Sequence, residues 1–237
     1  MKPSVIRARP DQIAELTRGL QLPLPEIDAD HLEIIAERLL LAFNEVRAES
    51  PMTVASGGET EVTTLMESRL LMMIEQDIFW RQLVLCVGRG KESLSFDGSH
   101  LEKRPDLSIY LSNRTLRFPL IAEAKILDSA SGRTEALYCS DGLRRFIEGE
   151  YAWGTREAFM IAYVRDGSSV DMTLKPFLSG AMTPVPPGYL VEKLPNHAGN
   201  GSSDLAYSRH GRTFSYSNQT PPADQPGPIT IWHLWLS

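Results

Sequence analysis

The stretch PDLSIYL, residues 105–111, followed after a short polar interval by PLIAEAKIL, residues 119–127, decides how the chain is read. Side chains alternate between the two faces of a strand, so Leu107, Ile109 and Leu111 go to one face and Asp106, Ser108 and Tyr110 to the other. In the second run Glu123 and Lys125 share a face, while Ala122, Ala124 and Ile126 point the opposite way. If the two strands pair, an Asp, a Glu and a Lys converge on one small patch. A charged lysine within LIAEAKIL is costly unless it is paired, so Glu123 and Lys125 together ask for a chemical explanation.

Upstream, residues 28–49 carry Leu32, Ile35, Leu39, Phe43 and Val46 at helical spacing, with Asp30 as the expected N-cap. Pro51 is expected to end this helix, and MTVASGG to be a linker into a second helix with Val62, Leu65, Met66, Leu70 and Met73 on one face. RQLVLCV, residues 81–87, reads as a strand. Downstream, a helix is expected over residues 135–151, and AFMIAYV, residues 158–164, is apolar enough for a strand buried on both faces. The order helix, three strands, helix, strand argues for an α/β domain in which helices cover a mixed sheet.

Beyond Gly167 the pattern loosens, with prolines at 184, 186 and 187. NHAGNGSSD, residues 196–204, reads as an exposed loop, and LAYSRH and RTFSYS, either side of Gly211, as a C-terminal β hairpin. A Pro-rich stretch, residues 220–228, precedes a last strand, ITIWHLWL, residues 229–236.

Of the 237 residues, 42% are hydrophobic, which suits one globular domain with an elaboration or two. The two cysteines, Cys86 and Cys139, offer neither a disulfide framework nor a Cys-rich zinc site, which points to a reducing compartment. The five histidines are too scattered for a zinc motif. No secretory leader is visible, and no segment approaches the roughly 20 apolar residues that cross a bilayer, so a soluble, cytoplasmic protein without a membrane partner is expected. A net charge of −6 argues against coating nucleic acid through bulk charge, although a local basic groove remains compatible with it.

The patch has the composition that phosphodiester hydrolysis requires. Two carboxylates suit a hard cation such as magnesium, and an ammonium group can orient a water or stabilise charge in the transition state. Pro105-Asp106, a gap of sixteen residues, then Glu123-Ala124-Lys125 resembles the PD-(D/E)XK nuclease superfamily. The resemblance implies a restriction endonuclease-like core of helix, three strands, helix and strand over residues 51–237, preceded by an N-terminal helical extension over residues 1–50. It also implies Asp106, Glu123 and the carbonyl of Ala124 as ligands of Mg2+ or Mn2+, and Lys125 as the helper of the catalytic base. Members often add a Glu from the helix before the first strand. Glu59, Glu61 and Glu67 are the candidates, and Glu59 is preferred because it falls at the edge of the sheet-facing side, whereas Glu61 is rotated away.

GLRRFIEGEYAW followed by AFMIAYV, and loosely SRHGR and IWHLWL, are similar to bacterial restriction-like proteins of poorly defined function. A nucleic acid substrate is expected, DNA above RNA, and the likeness adds by association a role in anti-phage defence; the acidic balance and the N-terminal helices are compatible with docking to a companion protein, and a homodimer suits enzymes of this type. Arg144, Arg145, His210 and Arg212 are candidate phosphate contacts. Each has a plainer reading: ion pairs for the two helical arginines, a polar turn for the other two. His233, Trp232 and Trp235 are expected to fill the core. A nuclease-like module that binds nucleic acid or a partner protein without cutting is the alternative from a different class.

Overall fold

The computed structural model describes residues 10–92, 94–98, 104–184, 188–198, 205–216 and 225–237. Helix α1 spans Pro10–Thr17, and α2 spans Ala29–Glu49. The N-cap of α2 is Asp28, whose carboxylate accepts the N–H of Asp30 at 2.9 Å, so the cap lies two residues before the expected one. The expected linker after it is largely a short helix, α3 (Pro51–Ser56). Pro51 opens this helix at its first turn, where the missing N–H costs nothing. Helix α4 (Glu59–Gln76) begins where Glu61 folds back onto the N–H of Gly58 at 2.6 Å.

The strand expected over residues 81–87 begins only at Val84, because Arg81–Leu83 close a helix, α5 (Ile78–Leu83), nucleated by Asp77, which accepts the N–H groups of Phe79 and Trp80. Strands β1 (Val84–Gly88), β2 (Leu107–Leu111) and β3 (Leu120–Leu127) follow. One helical segment then runs through α6 (Glu135–Tyr138), a wider π-helical turn (Cys139–Leu143) and α7 (Arg144–Ile147), ending before Tyr151. After β4 (Glu157–Val164) come α8 (Lys175–Ala181), β5 (Val191–His197), β6 (Leu205–His210) and β7 (Ile229–Leu236).

The fold is α/β, with seven strands in the order β1-β2-β3-β4-β7-β6-β5. β3, β4 and β7 are parallel, and the flanking pairs are antiparallel. The central strand β4 is buried along seven of its eight residues, as its unbroken apolar run requires. The expected hairpin does not form. β6 lies between β7 and β5, and described residues 211–216 form no strand, because VEKLPNH supplies the partner strand instead. Residues 199–204 of the expected loop and most of the Pro-rich stretch lie outside the described residues.

Helices cover both faces. On one, Leu32, Ile35, Leu39 and Phe43 of α2 pack with Val62, Met66 and Leu70 of α4 against Leu107, Ala122, Ala124 and Phe159. The boundary drawn at residue 50 therefore does not divide two cores. On the other face, Tyr138, Leu143, Phe146, Leu174 and Leu178 pack against Ile121, Met160, Ala162 and Trp235. A third cluster joins Ile13 of α1 to Phe118, Trp153, Phe214 and Tyr216 at one end of the sheet. Among the described residues no helix is long and apolar enough to cross a membrane.

Candidate functional site

β2 and β3 are joined only over Leu107–Ile109 and Leu120–Ala122. From Glu123 onward β3 pairs with β4 on one side, and its other edge opens into a fork. Backbone N–H groups on an open edge need acceptors. Two side chains supply them: Asp106 Oδ2 accepts from Ala124 N at 2.9 Å, and Glu59 Oε2 from Ile126 N at 3.3 Å. Glu59 reaches the fork because it is the first residue of α4, and behind it Thr63 Oγ1 lies 3.1 Å from the Tyr163 hydroxyl on β4.

Lys125 fills the space between these acids. Its Nζ donates to Ala124 O at 2.7 Å, to Glu123 Oε1 at 2.9 Å and to Glu59 Oε1 at 3.2 Å, and lies 3.9 Å from Asp106 Oδ2. The helical layer comes close here. A Cβ on Gly142, in the π-helical turn, would lie 2.4 Å from Met160 Cε and 3.7 Å from Lys125 Cε, so a larger residue there would first have to displace the flexible end of Met160.

Glu123 is only 1% exposed and accepts a second cation, Arg145 Nη1, at 2.7 Å. Arg145 is held in turn by the Tyr151 hydroxyl at 3.2 Å and stacks over that ring. Burial, with Asp106 next in effect, pushes the Glu123 carboxyl up to about 7 against the pull of Lys125 and Arg145. Burial also raises Glu59. Lys125 is held above its ordinary value: burial pulls it down, but Glu123, Glu59 and Asp106 outweigh that.

The structure thus brings together Asp106, Glu123, Lys125, Glu59 and the Ala124 carbonyl, and adds Arg145 as an ion-pair partner of Glu123. Glu61 is occupied at the cap, and Glu67 Oε1 accepts the N–H of Arg89 at 2.8 Å. Arg144 is exposed and lies over the Tyr189 ring, not toward the acids.

His210 and Arg212 are not offered to a ligand, contrary to their reading as a basic turn. Arg212 is half-buried and donates to the carbonyls of Ala152, Trp153 and Thr155. His210 is fully buried in a chain of polar contacts. Tyr138 Oη meets His233 Nδ1 at 2.8 Å, Ser208 Oγ meets His233 Nε2 and His210 Nε2 at 2.7 Å each, and His210 Nδ1 meets Tyr189 O at 2.8 Å. Both rings are neutral, because burial drives His210 down to about 4 and His233 well below its ordinary value. The sequence pattern missed Tyr151 and Thr63. A hydroxyl six residues after an arginine, or one turn behind a glutamate, carries no periodic signal.

Among the described residues no three His, Cys, Asp or Glu side chains are already gathered as a metal cluster; the acids here surround an ammonium instead. The donor set is nonetheless all oxygen, which suits a hard divalent cation. Glu123 Oε2 is buried without a hydrogen-bond partner, an unmet demand that a cation would satisfy. No family model matches the chain, and neither a curated protein nor a solved structure matches it.

Proposed function

We propose that the chain is a metal-dependent nuclease of the PD-(D/E)XK type that hydrolyses phosphodiester bonds of DNA. One observation carries the reading. Three acids from three separate elements, α4, the approach to β2, and β3, are drawn to a single lysine at the fork. One buried and two half-buried acids concentrated in this way oppose folding unless compensated, and such concentrations mark functional sites.

Asp106, Glu123, Glu59 and the Ala124 carbonyl would hold Mg2+ or Mn2+. Bound there, the cation supplies Lewis-acid polarisation of a phosphoryl oxygen and a water of lowered pKa. Lys125 hydrogen-bonds the attacking water or stabilises charge on the phosphorane-like transition state through its ammonium. Arg145, anchored by Tyr151, sets the position of the Glu123 carboxylate. Arg144, exposed on the same helical segment, is left as a phosphate contact.

A second reading is favoured by the charge balance: Lys125 and Arg145 already neutralise much of the acid cluster, as in a binding module that no longer cuts. Plasmid, linear duplex, single-stranded DNA and RNA incubated with magnesium, manganese or EDTA separate the two. Cleavage that requires metal is expected, and the absence of cleavage on every substrate with either metal would establish the non-cutting module.

A further inference from the structure

Beside the acids, on the same face of the sheet, lies a cavity of about 390 Å³. Its floor is the pair Ser108 and Ile121, which sit opposite each other across β2 and β3. Asp106 and Glu123 each lie two residues further along the same strands on the same face, so cavity and acids are separated by roughly 7 Å. Phe118 and Trp153 form an apolar wall, their rings edge to face at 4.9 Å. Gly154 makes that wall compact: a Cβ there would lie 2.5 Å from Phe118 Cε1. Leu94 and Leu116 extend the apolar lining, and at its edge stand the exposed cations Lys91 and Arg117, the latter donating through Nη1 to the carbonyls of Leu16 and Arg18, beside Glu92, whose charge is paired with Arg104.

Volume and apolar walls, with the hydroxyls of Ser108 and Thr155 among the lining, describe a site for a flat, weakly polar ring. Cations at the mouth and carboxylates one nucleotide's reach away describe what such a ring would be attached to. In a paired duplex each base is stacked and cannot enter a side cavity, so an occupant must have left its stack. We propose that this cavity receives an unpaired nucleobase whose phosphate lies at the acids, making a single strand or an unpaired nucleotide the preferred substrate. This rests on the nuclease reading and adds a requirement to it.

The test is fluorescence anisotropy of short labelled oligonucleotides titrated with the full chain in EDTA, beside cleavage of the same strands in magnesium. Burying a base against aromatic side chains should make an ordinary single strand bind about tenfold tighter than a matched duplex or a strand of abasic sites. Ser108→Leu fills the floor and should bring the ordinary strand down to the abasic level. Leu116→Ala, at an exposed position that does not threaten folding, should lower the preference by roughly threefold. Equal binding of ordinary and abasic strands, a preference that survives Ser108→Leu in a folded variant, or no binding at all would overturn the proposal. Cleavage without base preference leaves the nuclease and removes the pocket; base-dependent binding without cleavage does the reverse.

Discussion

The carboxylate of Asp106 accepts the backbone N–H of Ala124 at 2.9 Å, spanning the fork where β2 and β3 part. The acid therefore performs the task that the next residue of a paired strand would perform. Glu59 repeats this one step along, at Ile126. Backbone geometry thus positions the two carboxylates, and β3 presents Glu123 and Lys125 to them.

Lys125→Ala should leave nucleic-acid binding in place while cleavage falls by about two to three orders of magnitude, as expected when an interaction made in the transition state is removed. Asp106→Asn removes a ligand charge instead. Metal affinity and cleavage should fall together there, with part of the rate restored by excess metal. Single-turnover cleavage across a metal titration distinguishes the two patterns, and identical behaviour of the variants would contradict the division of roles.

Glu59→Gln should depress cleavage strongly with little change in melting temperature, whereas Glu61→Gln should keep full activity. Glu61 accepts the N–H of Gly58, a bond that glutamine can also make, so Glu61→Ala rather than Glu61→Gln should cost about 0.5–2 kcal/mol of stability by removing a helix cap. Thermal melts and cleavage rates of these variants check this, and full activity in Glu59→Gln would remove it from the site.

Glu123 supplies a pH dependence. Folding lifts its carboxyl from an ordinary 4.5 to about 7, so the folded chain holds a proton there that the unfolded chain has lost. That contribution to stability is complete below 4.5 and disappears as pH rises through about 7. A cation must expel the same proton, so manganese affinity should climb as pH rises toward about 7 and level off above it. Calorimetric titrations showing a flat affinity from about pH 5 to about pH 8 would contradict this.

The buried pair His210 and His233 works in the opposite direction. His210 is lowered from 6.5 to about 4, so its contribution to stability is present above 6.5 and is lost as pH falls through about 4. Ser208→Ala removes the hydroxyl between the two rings and should cost about 1–3 kcal/mol, read from denaturant unfolding. Arg212→Met should destabilise by a similar amount, about 1–3 kcal/mol, without altering the affinity of the folded protein for oligonucleotides.

The parity of two short strands was enough to place Asp106, Glu123 and Lys125 on one face, because alternation is a local property of extended backbone. The central order of elements was legible for the same reason, each run being long enough to show its period. Three features were not. Ile78–Leu83 is apolar and short, and only the Asp77 cap turns it into a helix. Val191–His197 contains Pro195 and pairs with β6 through shifted register, so an edge strand looked like loop. Arg212 reads as part of a solvated turn, and its guanidinium is instead held by the carbonyls of Ala152, Trp153 and Thr155, distant in sequence, which no local pattern reveals.

The fork has one more consequence. The eight residues that connect β2 to β3, Ser112 to Pro119, lie at the end of the strands away from Asp106, while the acid meets Glu123 by cross-strand register. The sixteen residues between the two acids are thus mostly a length of ribbon and turn that sets no distance within the acid cluster itself. A relative could lengthen or shorten that turn and keep the acid cluster while reshaping the cavity that Leu116, Arg117 and Phe118 line, and it would then escape any search that counts residues between the acids.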